Sequence, residues 1–191
     1  MTLSVSAVDE LNDWQPPTAS QSALRSDFIA HLSAHERGWE RSCRPDHLTA
    51  SALVLDSDGD RALLCLHRKV GLWLQFGGHI EDDDKSVADA ALREATEESG
   101  ILGLTLVGSA PLRLDRHAAP CDDAARHHLD VQFLAVAPRE VEPIVSSESL
   151  DVRWFPVDAL PDQTDDAVRR LVADAVAANG CTLRQAETPE R

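Results

Sequence analysis

Three glutamates stand within five positions of one another, Glu94, Glu97 and Glu98, in the string ALREATEESG. On a helix the spacings of three and four residues bring all three carboxylates to one side. So held, they repel one another unless a cation sits among them, and an all-oxygen ligand set suits Mg²⁺ or Mn²⁺. Arg93, four residues before Glu97, can pair with it and fix its orientation. An acidic helix face by itself usually means solvation. The paired glycines Gly77 and Gly78 ahead of the helix add something further, because backbone there can approach a ligand closely and Gly78 can offer its carbonyl oxygen to the same cation.

Histidine forms the second group. His47 opens an apolar run, His79 directly follows Gly78, and His117, His127 and His128 with Asp130 flank a stretch read as a long loop, DRHAAPCDDAARHH. Imidazole, near neutral at pH 7, can ligate a softer divalent ion or donate to a phosphate oxygen, although a single histidine more often satisfies a backbone carbonyl. Because His79 adjoins the glycine turn, its ring is expected close to the three glutamates, and His79, His47, His117 and His128 are read as substrate-binding residues. A base would need an aromatic slot, for which Trp39, Trp73, Phe76 and Trp154 are available. Trp73 is assigned to it, and core packing accounts for most of the others.

Positioning these groups requires a helix and several strands. Acids at 82 to 84 can cap the start of the glutamate helix and Gly100 can end it, with Ala88, Ala91, Leu92, Ala95 and Ser99 as an inward stripe. Leu24, Phe28 and Leu32 predict an earlier amphipathic helix over residues 20 to 35, after a loose leader containing Pro16 and Pro17. HLTASALVLD and RALLCLHRK read as strands joined at Asp58-Gly59, WLQF as a short segment, and ILGLTLVGSA, LDVQFLAVA and LDVRWF as three more strands; helical periodicity returns over 164 to 178. Strands and helices mix without regular alternation, which predicts an α+β fold. The expected organisation is a leader and helix over 1–45 packed on a domain at 46–180, with a flexible tail over 181–191.

The 191 residues, 43% apolar and 27% charged, suffice for one domain with a real core. With 18 basic and 33 acidic side chains the formal net charge is −15, which disfavours a nucleic-acid polymer as partner. No run of about 18 apolar residues predicts a membrane span. Cys43, Cys65, Cys121 and Cys181 are scattered and the first residues carry acids where a secretory signal carries bases, so a reduced, cytoplasmic location is expected.

The segment from 77 to 101 resembles the Nudix hydrolase signature: Gly, five free positions, Glu, seven free positions, Arg-Glu, an apolar residue, any residue, Glu-Glu, any residue, Gly, an apolar residue. Gly78, Arg93, Glu94, Glu97, Glu98, Gly100 and Ile101 match, while Asp84 replaces the first Glu, eight residues separate it from Arg93, and Ala95 replaces a larger apolar residue. The resemblance implies a Nudix-like α/β/α sandwich with a mixed central sheet and the catalytic helix after the Gly-Gly turn. It also implies Mg²⁺ or Mn²⁺ held by Gly78, Glu94, Glu97 and Glu98, with Arg93, Glu94, Glu98 and Glu148 as catalytic residues. Glu148 enters because such proteins often place an acid six residues before the Trp of the closing strand, here Trp154. The implied reaction is hydrolysis of a diphosphate linked to another moiety, usually a nucleoside, with a small-molecule diphosphate as partner and a homodimer allowed.

Two rivals follow from the same resemblance. Gly77-Gly78-His79 is similar to the Cys-Gly-His segment of isopentenyl-diphosphate isomerase, a Nudix-fold enzyme, but the position of its catalytic cysteine is Gly77 here. A catalytically silent ligand-binding domain is the other. A DNA-binding regulator of that kind would add a basic winged helix, whereas the residues after Trp154 carry one predicted helix and several acids.

Overall fold

A computed structural model describes residues 3–119 and 126–186. In chain order the elements are α1 (Leu3–Asp13), α2 (Ala19–Ala34), β1 (Asp46–Leu55), β2 (Arg61–His67), β3 (Trp73–Leu74), β4 (Phe76–His79), α3 (Val87–Ser99), β5 (Thr105–Leu106), β6 (Arg113–Ala118), β7 (His127–Val136), β8 (Ser149–Pro156) and α4 (Asp166–Ala186). One mixed sheet joins all eight strands in the path β3-β2-β1-β7-β5, with β4 on β1, β6 on β7 and β8 on β2. Its spine is the parallel pair β1 and β7, in register from Asp46 opposite His127 to Leu55 opposite Val136. Because β4 covers only residues 49–52 of β1 and β2 pairs only with 54 and 55, the sheet splits along β1 and opens at the end where β4 lies.

The period of two along β1 sorts its residues between two faces. Leu48, Ala50, Ala52 and Val54 join Leu129, Val131 and Phe133 of β7 in the core beneath α1, α2 and α3. On the other face, Leu53 and Leu55 with Leu134 pack under Val168, Leu171, Val172 and Ala175 of α4. Earlier along the strands that second face turns polar, with His47, Thr49 and Ser51 beside Asp130 and Gln132, all buried. A hydrophobic sheet would have been covered there; the polar stretch leaves a cavity instead.

Several expectations are corrected. The leader contains α1, whose Ala7 and Leu11, with Trp14 beyond its end, are buried in the first core; the Glu10 carboxylate accepts from the Val87 N–H at the start of α3. The acids at 82 to 84 do not cap α3. Ser86 does, its hydroxyl accepting from the Asp89 N–H, while Gly100 ends the helix in the left-handed conformation at φ 67° as expected. Both ends of the stretch read as a loop over 115–128 are strand, residues 115–118 in β6 and 127–128 in β7, which form an antiparallel pair from Arg113–Gln132 to Ala118–His127; residues 120–125 of it lie outside the described residues. The outer edge of β6 is closed by buried Gln21 of α2, whose side-chain amide donates to the Leu114 carbonyl at 2.9 Å and accepts the Leu114 N–H at 2.7 Å. α4 continues to Ala186, past the expected boundary at 180. The rest of the tail and Cys121 lie outside the described residues. No helix among the described residues is long and apolar enough to cross a membrane.

Candidate active site

α3 lies on the face of β4 that carries Phe76 and Gly78, which brings Glu94 against Gly78. Glu98 points to the start of the same strand and accepts the Gly77 N–H at 3.2 Å. Glu97 is the outermost of the three, with 62% of its side chain exposed. Burial is the chief cause of a raised pKa at both Glu94 and Glu98, and for Glu98 it combines with the charges of Glu94, Glu148 and Glu97 to push the carboxyl up to about 8. The Gly77 N–H works in the opposite direction. Glu148, exposed just before β8, faces this group closely enough for its charge to act on both Glu94 and Glu98.

Arg93 fixes the helix to its surroundings. Its Nε and Nη2 donate to the two carboxylate oxygens of Asp84 at 3.0 and 2.9 Å, Nη2 also donates to the His79 carbonyl, and Nη1 donates to Glu94 at 2.9 Å. The longer reach to Glu97, 3.4 Å, is its weakest contact. Asp84 is shorter by one methylene than the expected Glu, and the turn at 81–84, closed by the Glu81 N–H on Asp84, sets both its oxygens on the guanidinium.

The donor chemistry fits a hard divalent cation. Glu94, Glu97, Glu98 and Glu148 provide oxygen only, and Glu98 is a buried carboxyl whose like-charged neighbours make its ionised form unfavourable without a counter-ion. Gly78 is the cradle in this arrangement, because a Cβ there would lie 2.7 Å from the Glu94 carboxylate. Gly78→Ala is therefore expected to keep the fold, since the flexible Glu94 side chain can swing aside, but to lower cation affinity and turnover by about 10-fold to 100-fold. Gly77→Ala should act differently: its Cβ would strike Ser51 Cβ and approach the Ala50 carbonyl within 2.8 Å, and this backbone cannot yield. A loss of about 1–3 kcal/mol is expected there. Thermal unfolding and turnover of both variants separate the two effects, and full activity in Gly78→Ala would show that Glu94 need not hold its place.

The histidines take the opposite face, so the expectation that adjacency to Gly78 carries the His79 ring to the glutamates fails on the pleat of the strand. Gly78 faces α3, and the next residue must face away. His79 instead meets His47 and His128 at ring-centroid distances of 5.1 and 5.5 Å, and His117 lies 5.4 Å from His128. Burial lowers the pKa of His79 to about 4 and, with neighbouring histidines, that of His128 to about 3, leaving both rings neutral at pH 7. His117 is held above its ordinary value by its 2.9 Å bond to Asp115 and the charge of Asp130, against a burial effect that lowers it. His79, His117, His128, Asp115 and Asp130 line a cavity of about 480 Å³ together with Arg41, Thr49, Ser51, Gln132, Gly77, Gly78 and Glu148, while His47 is buried behind the rings of His79 and His128. Asp130 forms its floor, accepting from Thr49 at 3.0 Å, Ser51 at 2.7 Å and Gln132 at 3.0 Å.

Trp73 does not line this cavity. Its ring packs edge-on against Phe155 at 4.8 Å in the core under α4, so the role expected for it has no open surface. Trp39 and Phe76 are buried in the other core, and Trp154 packs against it beneath the Arg61 guanidinium. Arg41, Asp115, Ser51 and Gln132 are cavity residues that the sequence reading missed; the period-two partners of His47 and His128 on β1, β6 and β7 could have found three of them.

The family description NUDIX domain matches residues 45–175. Among solved structures, a MutT NUDIX hydrolase from Burkholderia pseudomallei is 25% identical, covering 68% of this chain and 97% of its own, with a TM-score of 0.54. An Ap4A hydrolase from C. elegans is 17% identical over 70% of this chain and 98% of its own, at a TM-score of 0.60. The E. coli dihydroneopterin triphosphate pyrophosphohydrolase is 20% identical over 71% and 97%, at 0.56. No curated protein matches the sequence. The matched span contains β1 to β8, the glutamate helix and most of the cavity, and with it the chain belongs to the NUDIX family as a Nudix pyrophosphohydrolase.

Proposed function

We propose that the chain is a divalent-metal-dependent hydrolase that cleaves a diphosphate bond in a nucleoside diphosphate linked to another moiety, with water attacking phosphorus. The observation that carries this reading is the junction of the two halves of the site. Gly78 and Glu148, which adjoin Glu94 and Glu98, also line the cavity, so a phosphate chain entering the cavity reaches the glutamates. Glu94, Glu97 and Glu98 with the Gly78 carbonyl would hold Mg²⁺ or Mn²⁺. Bound there, the cation would neutralise the diphosphate and acidify a water.

The chain's own groups divide the remaining work. Arg93 orients Glu94 through its 2.9 Å bond and is a positioning residue. Glu94 is tied to Arg93 and Glu98 to the Gly77 N–H, so we assign the water proton to Glu148, the exposed carboxylate of the cavity wall. His117, paired with Asp115, is suited to donate to a phosphate oxygen, and His79 and His128 face the rest of the ligand, with buried His47 packed against both rings. The Ap4A and dihydroneopterin triphosphate specificities of two structural relatives support a small phosphoanhydride as the substrate class. Cys43 and Cys65 are free thiols, in keeping with a reduced, cytoplasmic compartment. The partners are the small diphosphate and, at most, a second copy of the chain.

The test is a panel of nucleoside di- and triphosphates, sugar nucleotides and isoprenoid diphosphates, assayed with Mg²⁺ and Mn²⁺ in ¹⁸O-labelled water. Label is expected in a phosphate-containing product, with turnover abolished by chelation. A rearranged isoprenoid diphosphate without cleavage would establish the isomerase chemistry instead.

A further inference from the structure

We propose that His47, His79 and His128 form a binding site for a borderline-soft divalent cation of the Zn²⁺ type, on the face of the sheet opposite the glutamate helix. Three strands build it. In the register of the sheet His47 of β1 lies opposite His128 of β7, and Thr49 lies opposite His79 of β4, so all three side chains leave the same face. One ligand atom of each lies within 4.8 Å of the others. The ring centroids are 4.9 to 5.5 Å apart and the planes are inclined by 33°, 56° and 87°, so the rings converge rather than stack.

Two further observations point to a ligand. His47 is fully buried, and the Nε2 atom of His79 is buried with no hydrogen-bond partner among the described residues. A buried polar atom without a partner is costly, and a cation would satisfy it. The donor set also selects the cation: three imidazoles and no carboxylate suit Zn²⁺, Co²⁺ or Ni²⁺ and disfavour Mg²⁺. A tetrahedral site with Zn–N bonds of about 2.0–2.1 Å needs its nitrogens about 3.3 Å apart, which small rotations of these side chains reach from the present spacing. His79 and His128 line the cavity together with Arg41, so a fourth ligand would reach the cation from there. Loaded, this end of the cavity is electropositive and seats an anionic oxygen of a ligand.

This site uses none of the glutamates and goes beyond the hydrolase reading. Its test reads cation binding with no substrate present, so it can fail while hydrolysis holds, or hold while hydrolysis fails. The full-length chain, carrying no polyhistidine tag and stripped by chelation, is titrated with Co²⁺ and with Zn²⁺. One equivalent of Co²⁺ is expected to give the visible spectrum of a nitrogen-rich, low-coordinate site in the native protein and in Glu97→Gln. His79→Ala and His128→Ala should weaken binding by at least about 100-fold. Binding kept in the histidine variants but lost in Glu97→Gln would move the cation to the glutamates and overturn the proposal. So would loss in Cys43→Ser with a thiolate charge-transfer band, because His31, His35 and Cys43 also lie within ligand distance of one another. Should the histidine variants fail to fold, X-ray absorption on the Zn²⁺-loaded native protein decides: three imidazole nitrogens are expected, and an oxygen-only shell would refute the site.

Discussion

Glu98→Gln should abolish most hydrolysis, on the order of 100-fold or more in kcat, while making the metal-free protein more stable at alkaline pH. Both effects have one origin. The Glu98 carboxyl is 8% exposed and sits among Glu94, Glu148 and Glu97, and burial with these like charges pushes its pKa up to about 8. The folded protein therefore holds a proton that the unfolded chain releases near 4.5, so stability falls as pH rises from about 4.5 to about 8, by at most about 1.4 kcal/mol per pH unit. Glutamine has no such proton and removes that slope. A divalent ion does the same for the native protein by replacing the proton with a charge, and Mg²⁺ should therefore stabilise it more at pH 9 than at pH 6.

His79 and His128 act with the opposite sign at lower pH. Their folded values of about 4 and about 3 lie below the ordinary 6.5, so stability falls as pH drops from 6.5 toward those values. The windows overlap from about 4.5 to 6.5, where two histidines outweigh one glutamate, so thermal unfolding across pH 4 to 9, with chelator and with Mg²⁺, should show metal-free stability greatest near pH 6.5. Unchanged turnover in Glu98→Gln together with an unchanged alkaline slope would remove Glu98 from the site.

The glutamate helix was legible because its chemistry is local. Glu94, Glu97 and Glu98 need only the helical period to share a side, and Gly100 only its freedom at positive φ to end the helix. α1 was legible too, since Leu3, Ala7 and Leu11 repeat at four residues, although Pro16 and Pro17 just after it are the residues of a loose leader. The histidine cluster depends on register. His47, His79 and His128 lie on three strands, and which face each takes follows from pairings such as Thr49 with His79 that no local pattern reveals. β6 was lost for a related reason: its run RLDRHA has charged residues where the strand faces the cavity, so it reads as loop until β7 is set beside it. The motif departure at Asp84 is the clearest case of a signal that needed three dimensions, because only the fold shows what the shorter acid pairs with.

Arg93→Met should be the most destabilising single change in the site, at about 3–5 kcal/mol, because it strands a buried charge. The Asp84 side chain is 6% exposed and both its oxygens accept from Arg93; without the guanidinium it keeps a desolvated carboxylate with no counter-charge. The same guanidinium holds the His79 carbonyl and Glu94, so it joins the end of β4, the turn at 81–84 and α3 in one clamp. Arg93→Lys should recover only part of the loss, since a single ammonium cannot bridge both Asp84 oxygens and the carbonyl at once. Asp84→Asn should cost less than Arg93→Met, because it leaves an arginine that is 22% exposed and still paired with Glu94. The decisive variant is Asp84→Asn combined with Arg93→Met. With neither charge present the buried penalty disappears, so the double variant should be more stable than the sum of the two single losses predicts, by about 1–3 kcal/mol in a double-mutant cycle. Strict additivity would mean that the two side chains act independently. Turnover should follow a different order from stability: Arg93→Met and the double variant both release Glu94 from its 2.9 Å tether, so both should lose activity even where the double variant regains its fold.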